Sequence, residues 1–164
     1  MAIDRTHMHT GVITDTQVKD ASLKYTDLET DTIQLEIPIE FWSGYLSFAI
    51  DSTGTKITTH RYLISEELVK HLKHAYFEAA VTDFTATDAT VSVVLRNNTD
   101  AVDVTNISIS SDTMRTRTGD IVDDVKALAG KEVSVEVRVA TASATSGATA
   151  VFRNARLVLV LGVS

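Results

Sequence analysis

The chain of 164 residues contains no cysteine. That absence excludes disulfide frameworks, cysteine-ligated zinc and thiol nucleophiles together. A single proline, Pro38, leaves extended runs elsewhere uninterrupted. Aromatic residues make up only 6% of the chain, and Trp42 is its one tryptophan, so any ring-based recognition surface must be small. No apolar run approaches the length of about eighteen residues needed to span a membrane as a helix. The longest, LVLVLGV near the C-terminus, has the length of a strand. Positive charge is also scarce: 15 Lys and Arg against 22 Asp and Glu give a net charge of −7. Phosphate backbones are bound by clustered basic residues, so neither nucleic acid nor a membrane is an expected partner. The start, MAIDRTHMHTG, lacks a basic segment followed by an apolar one, and synthesis in the cytoplasm without a signal peptide is the expectation.

Catalytic signatures are missing too. G-x-S-x-G, G-x-x-x-x-G-K-[ST] and H-E-x-x-H do not occur, and paired carboxylates for glycoside hydrolysis cannot be singled out. The expectation is a non-enzyme that needs no cofactor.

What is present is periodicity, and it changes along the chain. Ile13, Val18, Leu23, Leu28 and Ile33 recur every fifth residue. Neither a helix nor a half-buried strand has that period. Ordering a residue costs roughly 1–2 kcal/mol of backbone entropy, and a fully buried aliphatic anchor returns about 1.5–3 kcal/mol. One anchor in five cannot support an independent fold. Residues 1–32 therefore read as an arm whose anchors fit pockets elsewhere, on the chain's own domain, on neighbouring subunits or on a larger particle.

From Ile33 onward, through 33–164, the period is two. IQLEIPIE alternates Ile33, Leu35, Ile37 and Ile39 with polar residues, and Pro38 suits an edge strand. GYLSFAID follows, and DSTGT reads as a hairpin turn into KITTHRYLI. SEELVKHLKH is a short helix capped by Ser65, and DIVDDVKALAG a helical turn ended by Gly130. AYFEAAV, ATVSVVLR, VTNISIS, DTMRTRT, KEVSVEVRVA and TAVFRNARLVLVL are strands between turn clusters. Eight to nine closely spaced strands and no long helix predict an all-β, antiparallel two-sheet sandwich with an extended N-terminal arm. Strand count leaves jelly-roll and immunoglobulin-like connectivity both open.

AYFEAAV, ATVSVVLRNNTD, KEVSVEVRVAT and VFRNARLVLVL, within Ala75 to Leu161, resemble a jelly-roll module of phage and archaeal virus structural proteins and of some carbohydrate-binding accessory modules. ITDTQVKDASLKYTDL resembles the connector segments of phage head and tail fibres. ASLKY and TDLET also match a pentapeptide-repeat unit, but five units make barely one coil. The resemblance implies a virion structural protein, as capsid decoration, head fibre or tail-associated component. It implies a homotrimer held by the arm, with other virion proteins such as the major capsid protein as partners. The alternative is a carbohydrate-binding sandwich, with Trp42 and Tyr45 stacking on a host-surface glycan.

Metal readings are weaker. His7 and His9 would share one side of an extended segment, and His71 and His74 one face of a helix. Asp120, Asp123 and Asp124 could offer oxygens to calcium. Two ligands do not make a site, and acids clustered in a turn are usually solvated, so no metal is expected.

Overall fold

The computed structural model describes residues 34–162. The anchors Ile13, Val18, Leu23, Leu28 and Ile33, and the pair His7 and His9, lie outside the described residues. The elements in chain order are β1 (Gln34–Ala49), β2 (Gly54–Thr58), β3 (Tyr62–Leu63), α1 (Glu66–Lys70), β4 (Leu72–Thr82), β5 (Thr90–Asn97), β6 (Val102–Ile109), β7 (Thr113–Arg117), α2 (Val122–Lys126), β8 (Glu132–Thr141) and β9 (Thr149–Gly162).

Alternation of apolar and polar residues gives each strand one face for the core, and the strands assemble into two sheets. One has the order β1-β9-β4-β7 and the other β2-β8-β5-β6, with β3 extending the β2 edge along β8. Every pairing is antiparallel. Only β5 and β6 are consecutive strands paired within one sheet; most other connections pass from one sheet to the other. This wrapping order is that of an eight-strand jelly roll, and it decides between the two connectivities that strand count leaves open.

DSTGT is consequently not a hairpin turn. It carries the chain from β1 in one sheet to β2 in the other. The two segments IQLEIPIE and GYLSFAID form one 16-residue strand, because irregular register steps between Glu40 and Trp42 and between Ser43 and Leu46 absorb the break in alternation. Pro38 sits on this strand, which is an edge of its sheet, as a residue without an N–H donor requires.

The core lies between the sheets and is built around Phe41, Phe77, Phe152, Ile50, Leu95, Leu157 and Leu159, all fully buried. The Ser65 hydroxyl accepts the Glu67 N–H at 3.2 Å and caps α1. α2 ends at Ala127, earlier than the glycine signal suggests. Gly130, at φ +71, makes the turn that brings its N–H to the Ile64 carbonyl at 2.8 Å.

The loop before α2 is tied to β4 by Asp120. Its Oδ1 accepts the N–H groups of Ala75 at 3.0 Å and Val122 at 3.1 Å, and its Oδ2 lies 2.6 Å from His74 Nδ1. Burial pushes this carboxyl up, but the bonds from Ala75, His74 and Val122 outweigh it and hold it below the usual range. Asp120→Ala removes the hydrogen bonds that tie the loop before α2 to β4, and should lower stability by about 1 kcal/mol in a urea melt. Unchanged stability would mean that water replaces these bonds at no cost.

Candidate interaction face

Two residues apart on a strand share a face. In β4, Phe77, Ala79 and Val81 point into the core, so Tyr76, Glu78, Ala80 and Thr82 belong to the outer face of the sheet. A glutamate there should be solvated, yet Glu78 is only 1% exposed. Three arginines from the two flanking strands cover it. In register Glu78 stands between Arg156 of β9 and Arg117 of β7. Arg156 Nε donates to Oε2 at 2.7 Å and Arg117 Nε to Oε1 at 2.6 Å, while Arg115 Nη2 also donates to Oε1.

Burial pushes the Glu78 carboxyl up, but the hydrogen bonds from Arg115, Arg156 and Arg117 together outweigh it and hold its pKa at about 2. Three guanidinium groups surround this carboxylate; Glu40 stands opposite Arg156 in register, and Asp83 Oδ2 lies 3.8 Å from Arg153. The bonds from Arg117 and Arg156 use Nε, which leaves their terminal nitrogens available as donors. Arg117 also lies 4.3 Å above the centroid of the Tyr76 ring.

A second arginine and tyrosine pair extends the same outer face. Phe152 and Ala155 point into the core, and Arg153 between them turns outward. Its guanidinium sits 3.6 Å over the Tyr45 ring, and its Nη2 donates to the Tyr45 hydroxyl at 2.9 Å. Four of the eight arginines in the chain thus occupy one outer face, two of them against tyrosines.

The opposite sheet differs in kind. Arg96 and Arg138 there meet Asp103 and Glu136 in a closed network of two cations and two anions. The charges of that network cancel one another.

The structure separates the two aromatic residues singled out above. The register steps in β1 turn both Phe41 and Trp42 inward, and Trp42 stacks on Phe152 with centroids 6.2 Å apart and planes at 15°. The indole Nε1 is buried and has no hydrogen-bond partner among the described residues. Tyr45 is 74% exposed. The two rings do not form one stacking platform.

His71 caps the end of α1, with Nε2 3.8 Å from Glu67, and His74 is engaged by Asp120. Asp123 and Asp124 lie in the first turn of α2. Among the described residues, no group of three or more His, Asp or Glu side chains is placed to hold a metal ion.

The arginine cluster was missed in the sequence, although AYFEAAV carries a signal for it. A lone acid inside an apolar strand, in phase with Tyr76 and Ala80, must either be exposed or find cationic partners.

No protein-family model matches the chain, and no curated protein matches it. Two similar solved structures come from infectious bursal disease virus. One, of the Gx strain, is 12% identical over 81% of this chain, with a TM-score of 0.37. The other, a VP2 subviral particle, is 12% identical over 87%, with a TM-score of 0.42. The chain spans about a third of the length of either, 33% and 36%. The strand order, and not this likeness, defines the fold class: a jelly-roll sandwich with an arginine and tyrosine face on one sheet.

Proposed function

We propose that the chain is a virion structural protein, a capsid decoration, head fibre or tail-associated component, that assembles as a homotrimer through its N-terminal arm and attaches to other virion proteins. It acts by geometry and not by catalysis. The observation that carries this reading is the composition of the outer face of the β1-β9-β4-β7 sheet. Arginine and tyrosine are the residues that dominate binding energy at protein interfaces, and here four arginines and two tyrosines gather on one face of an acidic chain. The five-residue recurrence in the arm, the absence of cysteine and the resemblance of the strand residues to viral jelly rolls support it.

Peptides of this chain should appear, at a fixed ratio to the major structural protein, in particles purified by density gradient from a lysate that contains it. Recovery only in the particle-free fraction would overturn the proposal.

One observation favours a second reading as a glycan-binding module. Tyr45 presents an exposed ring whose position is fixed by Arg153. Retention of an oligosaccharide that is lost on Tyr45→Ala would support it.

A further inference from the structure

Tyr45 does not stand alone on the outer face of its sheet. The irregular step in β1 between Ser43 and Leu46 sets two residues, Gly44 and Tyr45, against the single Arg153 of β9. Gly44, at φ +153, supplies a backbone conformation that a side chain would disfavour. The Arg153 guanidinium lies 3.6 Å from one face of the Tyr45 ring. Its side chain is 21% exposed, whereas Tyr45 is 74% exposed. The ring therefore covers the cation and leaves its other face to solvent, as a platform already fixed in place.

The next row of the sheet carries Ser43 and Asn154, opposite each other in register, with Asn154 also opposite Ala80. Ala80 belongs to the outer face, so Ser43 and Asn154 do too. Neither side chain has a hydrogen-bond partner among the described residues. Asn154 thus offers an amide with donors and an acceptor unused, and the exposed Ser43 a hydroxyl. Arg156, two residues beyond Asn154 on the same face, is held to Glu78 through Nε and keeps its terminal nitrogens as donors. From Arg153 to Arg156 the strand rises about 10 Å, the length of two linked sugar rings.

A sugar has a ring face of C–H groups and a rim of hydroxyls that both donate and accept. An aromatic face beside an amide, a hydroxyl and a guanidinium matches both parts. The cations of this patch are already matched by acids, Asp83 beside Arg153 and Glu40 opposite Arg156. A carboxylate or sulfate on the ligand would meet those acids, and like charges brought together cost affinity. An uncharged sugar avoids that cost.

We infer that Tyr45, Ser43, Asn154 and Arg156 form a binding site for a neutral oligosaccharide, with one sugar ring stacked on Tyr45 and the hydroxyls of the next bonded by Asn154. This rests on the glycan-binding reading above, and names its ligand class and its polar partners.

The full chain on an array of immobilised neutral and acidic oligosaccharides tests the site, followed by titration with the neutral glycan retained most strongly. Neutral glycans should be retained, with an affinity that does not change between low and high salt. Tyr45→Ala should weaken binding at least tenfold. Asn154→Ala should weaken it several-fold, as loss of a hydrogen bond does. Its urea melt should match that of the unsubstituted protein, because the amide has no partner to lose within the chain.

Retention confined to sialylated or sulfated glycans, and weakened by salt, would overturn the neutral class. Binding lost in Tyr45→Ala but unchanged in Asn154→Ala would leave the glycan-binding reading standing and sink this site. If no glycan of either kind is retained, both fail.

Discussion

Replacing Glu78 with Gln should cost about 3 kcal/mol of stability at neutral pH. The substitution keeps the shape of the side chain but leaves Arg115, Arg117 and Arg156 converged on a neutral amide. Removing one partner of a buried ion cluster typically costs 3–5 kcal/mol, because the remaining charges lose their compensation. The lower end applies here, since the three arginines are partly exposed and can turn towards water.

The same carboxylate fixes a pH dependence. Its pKa falls from an ordinary 4.5 to about 2 on folding, so the folded state holds fewer protons than the unfolded state between those values. The stability it contributes is fully present above about pH 5 and is lost as the pH falls towards 2. A shift of this size corresponds to about 3 kcal/mol. The stability difference between the unsubstituted protein and Glu78→Gln should therefore shrink from about 3 kcal/mol at pH 7 to near zero at pH 2. Urea melts followed across that range check it. A difference independent of pH would show that Glu78 acts through shape and not through charge.

Phe152→Ala should be at least as damaging, at about 3–5 kcal/mol. Phe152 is fully buried near the start of β9, opposite Leu46 of β1 and Val81 of β4. Its removal empties space that two sheets of β-branched side chains have little freedom to fill. The ring also stacks on Trp42, the single tryptophan. The variant should melt at a lower urea concentration and show an altered indole emission before unfolding begins. A native emission spectrum with a large loss of stability would mean that the cavity collapses away from Trp42.

Much of the fold was legible in the sequence because alternation is a local property. Leu46, Phe48 and Ile50 point inward opposite Tyr45, Ser47 and Ala49, as their spacing implies. Ser65 caps a helix because its hydroxyl is two residues from an unsatisfied N–H. Sheet membership was not legible, because it depends on pairings between distant segments such as β1 with β9. The DSTGT turn misleads for that reason: its residues permit a tight reversal, and only the partners of β1 and β2 show that none occurs.

The interaction face shows the same division. Glu78 is visible as an acid in an apolar strand, but its partners are 37, 39 and 78 residues away. Trp42 and Tyr45 are three residues apart, an odd spacing that alternation along a strand already places on opposite sides.

The central claim is that the arm assembles this sandwich. It is tested most directly by the solution mass, from light scattering after size exclusion, of the full chain and of a chain beginning at Asp31. The full chain should run at three times its mass of 17.8 kDa, and the shortened chain as a folded monomer. A full chain that runs as a single 17.8 kDa species, with the same melting curve as the shortened one, would contradict the account.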